Sequence, residues 1–171
     1  PKGSKLVLQT HYGDEGNLGK KEKTSIDLFF CPRPQRVVKF EILNNLNIFF
    51  PTNTIKTETI TYHTDTAISI LGGGPHMHFL CKKIELFAVS PDAKKINILR
   101  INNWDYLWQG NYFYRHPIII PAGSTIYMNA VFDNTNNNPQ QPNNPIKDVK
   151  YDTYSKEEMM VLSLYITGYQ K

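Results

Sequence analysis

Thr57-Glu-Thr-Ile-Thr-Tyr62 decides the fold class. β-branched and aromatic side chains dominate it, and no apolar helical period runs through it. The strand expected here covers 56–62. The reading extends outward in both directions. Upstream, 47–50, 37–42, 24–31 and 5–12 are further short β-prone runs, with a polar loop over 13–23 and Pro32-Arg-Pro34 as punctuation. Downstream, Gly72-Gly-Gly-Pro75 reads as a break, followed by a long apolar and aromatic run over 76–90. Strands are expected at 95–101, 106–115, 124–132 and 160–168, with turns at Pro91-Asp-Ala-Lys94 and Pro121-Ala-Gly123. Residues 134–145 are almost entirely Asn, Gln and Pro and read as an exposed irregular loop. Ser155-Lys-Glu-Glu158 fits a helix-capping pattern and predicts at most one turn of helix. The whole is an all-β chain, an antiparallel β-sandwich of jelly-roll type with about nine or ten strands.

Composition agrees. The 171 residues include 16 Asn, 10 Tyr and 9 Phe but only 5 Ala, so helix formers are scarce. No apolar run reaches the ~20 residues of a membrane-spanning helix. A net charge of +4, with the basic residues scattered among acids, gives no nucleic-acid footprint. Two cysteines exclude a disulfide-dense scaffold. The chain opens at Pro1 without an initiator Met or signal peptide, which is expected of a processed chain or a fragment. No nucleophile elbow, phosphate loop, Cys-x-x-Cys pair or dinucleotide fingerprint is present.

His76-Met77-His78 is the strongest local signal for chemistry. On a strand, residues two apart share a face, so both imidazoles can reach one metal ion. On a helix the same spacing would splay them by about 200°. A third ligand must come from elsewhere, among His11, His63, His116, Met77, Met128, Met159, Met160, Cys31 and Cys81. Two His with one Met favour copper, and two His with one Cys suit zinc or copper. Cys81, three residues past His78, would face the other side of a continuous strand. Trp104, Trp108, Tyr112 and Tyr114 read as sheet aromatics or as the lining of a ligand groove. Asp105 and Asp133 read as turn residues.

Five motifs in order resemble the C-terminal domain of the copper type II, ascorbate-dependent monooxygenases. They are Pro75-His-Met-His-Phe-Leu80, the run from Arg100 through Trp104, Trp108 and Gln109 to Tyr112, Pro121-Ala-Gly123, Val131-Phe-Asp-Asn134 with Asn138-Pro139 and Asn144-Pro145, and Ser155-Lys-Glu-Glu-Met159. The family includes peptidylglycine alpha-hydroxylating and dopamine beta-monooxygenases, and the bacterial members look most similar. The resemblance covers nearly the whole chain. It implies a jelly-roll domain over 34–171, with 1–33 as the terminal strands of a truncated N-terminal monooxygenase domain. It implies His76, His78 and Met159 as ligands of the copper that binds O2, Met159 being the methionine that directly follows the acidic pair. It implies His11 as one ligand of a second, electron-transferring copper, whose other two ligands are an adjacent His-His pair absent from this sequence. The implied activity is hydroxylation of a substrate C–H bond, with ascorbate as external reductant, in a periplasmic or secreted setting. The partners are a small-molecule or peptide substrate, O2 and the missing copper domain.

Three departures from the family stand out. Its carboxylate-binding Arg, two residues before the His pair, is Gly74 here. Its Tyr, four residues after the ligand Met, is Ser163, with Tyr165 two further on. One family disulfide uses the residue after the ligand Met, which is Met160 here. A Cys31–Cys81 bridge is an alternative in an oxidising compartment. Competing readings are a non-catalytic β-sandwich binding carbohydrate or a protein partner, and a copper carrier.

Overall fold

The computed structural model describes residues 3–8, 10, 19–30, 32 and 36–169, in two units, 1–34 and 35–171. In the first unit, the described parts of the expected strands at 5–12 and 24–31 form no strand. They join no hydrogen-bonded ladder, and an isolated strand has nowhere to place its backbone groups. Val7, Phe29 and Phe30 are exposed.

The second unit is an all-β sandwich of ten strands, β1 (Lys39–Asn44), β2 (Phe49–Phe50), β3 (Thr54–Thr64), β4 (Ile68–Met77), β5 (Cys81–Val89), β6 (Lys95–Ile101), β7 (Tyr112–Ile120), β8 (Ser124–Asn134), β9 (Val149–Lys150) and β10 (Met160–Gly168). One sheet runs β1-β10-β4-β7 and the other β3-β8-β5-β6, with β2 and β9 as a small separate pair. All pairings between these strands are antiparallel. Of the eight long strands, first pairs with last, second with seventh, third with sixth and fourth with fifth. That nesting is a long hairpin rolled over on itself, the jelly-roll arrangement.

Strict alternation builds the core. Along β8 the inward residues Ile126, Met128, Ala130 and Phe132 are buried, and along β10 so are Met160, Leu162, Leu164 and Ile166. They meet Ile70 and Met77 of β4 and Ile84 and Leu86 of β5 in one hydrophobic cluster.

Three expectations are corrected. Gly72-Gly-Gly-Pro75 does not break the chain but lies inside β4. A Cβ on Gly72 would sit 2.7 Å from both the Phe113 ring and the Tyr112 carbonyl oxygen, so a side chain there would push β7 away. Pro75 is tolerated in this inner strand because β7 pairs with β4 only as far as Gly73, so no ladder bond is lost on that side. The run over 76–90 is two strands, since the chain turns at Phe79–Leu80 and crosses to the other sheet. The strand expected over 106–115 begins only at Tyr112. Asp105 captures the preceding backbone, its carboxylate accepting the Leu107 N–H at 2.9 Å and its carbonyl the Trp108 N–H at 3.0 Å. At Ser155–Glu158 there is a turn and no helix, and no helix among the described residues is long and apolar enough to cross a membrane.

Candidate metal centre

The ladder between β4 and β10 places the three proposed ligands. Met77 pairs with Met160 and His76 with Val161. Met77 and Met160 are both fully buried, so that pair points into the core. His76, on the strand, therefore points to the opposite face; His78, just past the strand, is buried, and the same alternation carried past the end of the ladder would put it and Met159 on the side of His76. His76 lies on β4, His78 just past its end and Met159 just ahead of β10. The two imidazoles stand edge to face, with ring centroids 5.2 Å apart.

Each ring is held by its Nδ1. His78 Nδ1 lies 3.1 Å from the Glu157 carbonyl oxygen, which can only accept, so Nδ1 carries the proton. His76 Nδ1 lies 2.5 Å from Gln109 Oε1. The Gln109 amide is oriented in turn by Nε2–H donation to the Tyr106 carbonyl at 2.7 Å, which leaves its oxygen for His76. In the neutral imidazoles both Nε2 atoms then present lone pairs, and neither is hydrogen-bonded to a described residue. Tying one ring nitrogen to a carbonyl is how metal-ligating histidines are aimed. Burial holds the His78 imidazole below its ordinary value, against the raising effect of the Glu157 carbonyl, which keeps it in the neutral ligating form.

The backbone under these rings is fixed from several sides. Trp104, buried, donates its indole N–H to the His78 carbonyl at 3.1 Å. The Tyr106 ring packs edge-on against His78 and, at 4.2 Å between centroids, against Phe79. The Leu80 carbonyl accepts the Asp133 N–H at 2.8 Å. Asn138, from the Asn-rich loop, donates to the carbonyls of Asp133 and Phe79, so that loop is a buried brace and not a purely exposed one. Glu158 is fully buried, and its carboxylate accepts backbone N–H groups from His78, Met159 and Leu80. Burial pushes this carboxyl up to about 8, opposed by those three donors.

The other candidate residues separate. Trp108 is 76% exposed. Tyr114 turns inward, its hydroxyl donating to the Ile98 carbonyl at 3.0 Å, and belongs to the core edge. Asp105 and Asp133 act in turns, Asp133 accepting the Thr135 N–H. Cys81 is a free thiol in the core and faces away from the histidines. His11 and Cys31 lie outside the described residues. Among the described residues no cluster of three or more His, Cys, Asp and Glu side chains is placed to hold a metal ion, so the grouping here depends on the thioether. Gly74 and Ser163, two of the three positions noted above as departures, are direct cross-strand partners, and the Ser163 hydroxyl donates to the Gly74 carbonyl at 2.9 Å. A Cβ on Gly74 would collide with Asn111 Oδ1 and sit 2.8 Å from Ser163 Oγ, so a side chain there would have to displace the Asn111 amide.

Sequence reasoning did not assign roles to Gln109, Tyr106, Asn138 or Glu158. Gln109 stands inside a quoted motif, and Glu158 reads in the sequence as the acidic end of a capping pattern and as half of an acidic pair. Their roles arise from partners 33 and 80 residues away, a separation that leaves no local signal.

The fold and this face together define a jelly-roll β-sandwich carrying a two-histidine, one-methionine candidate centre. No family model and no curated protein matches the chain. Solved structures similar to it are VP2 capsid proteins of infectious bursal disease virus. A mutant VP2 in T=1 particles matches at 12% identity and a TM-score of 0.34 over 77% of this chain and 32% of that one. VP2 of a subviral particle matches at 13% and 0.31, over 77% and 33%. The chain thus spans about a third of the length of these capsid chains.

Proposed function

We propose that the chain is a copper-dependent monooxygenase domain that holds copper through His76, His78 and Met159 and takes part in hydroxylating a substrate C–H bond. The observation that supports this reading is the edge-to-face pair of imidazoles, each held through Nδ1 so that its Nε2 is left available, next to the ladder end that Met159 directly precedes. The donor set suits the group, since a thioether with two neutral imidazoles is a soft set that accommodates Cu(I). Bound copper would supply one-electron chemistry with O2. The chain's own residues aim the imidazoles through Gln109 and the Glu157 carbonyl, keep His78 neutral, and fix the backbone through Trp104 and Glu158. Asn111 and Ser163 occupy the place of a carboxylate-binding Arg, which supports a substrate other than a peptide C-terminal glycine. The family's adjacent His-His pair is absent from the sequence, so turnover with ascorbate requires a second copper-bearing domain.

Chelator-competition titration of Cu(I) tests the site. The His76→Ala and Met159→Ile variants are expected to bind at least about tenfold more weakly than wild type. Unchanged affinity in both overturns the assignment. A non-catalytic binding module is the second reading, favoured by the exposure of Leu107 and Trp108 beside the centre's supporting turn. Wild-type protein that takes up no Cu(I) would favour it. Tight binding without O2 consumption, even with a complementary copper domain supplied, would indicate a carrier.

A further inference from the structure

The β4–β10 ladder ends at Met77 and Met160, one residue short of the proposed ligands. Beyond it the His78 and Met159 amides do not turn to each other's carbonyls. Both N–H groups donate to a single oxygen, Oε1 of Glu158, the Met159 bond being 2.8 Å. Oε2 accepts the Leu80 N–H at 2.9 Å, on the far side of the turn that follows His78. One buried side chain thus spans the end of one ligand-bearing strand and the start of the other. Its own backbone is anchored as well. The Glu158 N–H donates to the Lys150 carbonyl and its carbonyl accepts the Asp152 N–H, each at 3.1 Å.

We propose that Glu158 is the positioning residue of this centre, a carboxyl clamp that sets the separation of His78 and Met159. The proposal rests on the copper reading for the identity of the bound ion, while the clamp itself rests on the hydrogen bonds of Glu158. The physical reason is tolerance. A ligand set on two strands must be held to within about 0.5 Å, and strand ends beyond the last ladder bond fray unless something bridges them. Paired carbonyls could bridge only by extending the ladder and would leave nothing to hold the Leu80 turn. The two oxygens of a carboxyl group, ionised or protonated, offer enough lone pairs for all three N–H groups at once. Glu158→Gln keeps the shape but replaces one acceptor oxygen with an NH2 group that faces an N–H donor.

The test uses the full chain with Cu(I) and three readouts: affinity by chelator competition, the copper–sulfur contribution in X-ray absorption, and backbone amide shifts of the metal-free protein. In Glu158→Gln the amides of His78, Leu80 and Met159 are expected to move, the copper–sulfur signal to fall, and the dissociation constant to rise 10- to 100-fold. Because the clamp acts through Met159, adding Glu158→Gln to Met159→Ile is expected to weaken binding less than twofold further. An equal loss in both backgrounds, which a merely structural role would produce, overturns the proposal. So does a Glu158→Gln protein with the wild-type copper–sulfur signal and affinity, and in that case the copper reading stands. Wild-type protein that binds no Cu(I) overturns the copper reading and the clamp's purpose together. If Glu158→Gln does not fold, Glu158→Asp, with a carboxylate drawn back by one methylene, is read in the same way.

Discussion

Met159 and Met160 are sequence neighbours that strand alternation sends to opposite faces. Met160 is fully buried opposite Met77, and Met159 is half-buried just ahead of the strand. Met160→Ala is expected to cost about 2–5 kcal/mol in urea unfolding through the cavity it leaves, with Cu(I) binding retained by the folded fraction. Met159→Ala is expected to cost under about 1 kcal/mol while lowering Cu(I) affinity, because its side chain packs less of the core. The reverse pattern would exchange the two assignments. Cys81 offers a second residue-scale check. Burial pushes its thiol up, and the side chain is inaccessible. Peptide-resolved mass spectrometry is expected to find it unmodified by iodoacetamide in the folded protein and fully modified after denaturation.

At the scale of elements, β4 shows how glycine serves a crowded sheet face. Gly74→Ala is expected to displace the Asn111 side chain and destabilise the protein by about 1–3 kcal/mol, and Asn111→Gly to recover most of that loss in the double variant. Additive losses in the unfolding midpoints would refute the steric account. The Asn-rich loop makes the complementary point. Asn134 is buried and its amide donates to the carbonyls of Phe50, Pro51 and Lys147, joining the end of β8 to the small β2–β9 pair. Asn134→Ala strands buried acceptors, and a loss of about 2 kcal/mol or more is expected. β8 and β10 are legible in the sequence as apolar, β-prone runs, the first marked off by the Pro121-Ala-Gly123 turn, and in the structure each buries one face. β4 was misread because its glycines answer to Phe113 and Asn111, residues distant in the chain. The segment at 106–111 was misread because a single Asp105 outcompetes aromatic β-propensity by capturing two amides.

For the whole molecule, the titration of Glu158 and His78 predicts how stability varies with pH. Glu158 has its folded value raised to about 8, so the folded chain holds this proton more tightly than the unfolded chain. Its stabilising contribution is complete below about 4.5, the ordinary carboxyl value, and is lost as pH rises through about 8. His78 is shifted downward by burial, and its contribution has the opposite sign, growing as pH rises toward 6.5. Above pH ~7 little of the histidine's titration remains, and Glu158 dominates the two. The urea midpoint of the metal-free protein is therefore expected to fall between about pH 7 and 8.5. A flat midpoint over that window would show that the three N–H donors, not burial, control the carboxyl.

The sequence by itself determined that the chain is all-β, because side-chain alternation and branched or aromatic composition are properties of neighbours along the chain. For the same reason it showed that His76 and His78 share a face, since a strand allows no other arrangement of residues two apart. Only the tertiary structure showed that Met160 pairs with Met77 in the core, because that depends on the register between β4 and β10. Only the tertiary structure found the supports, because Gln109, Trp104 and Glu158 reach the centre by hydrogen bonds across the sandwich, and such bonds leave no periodicity in the chain.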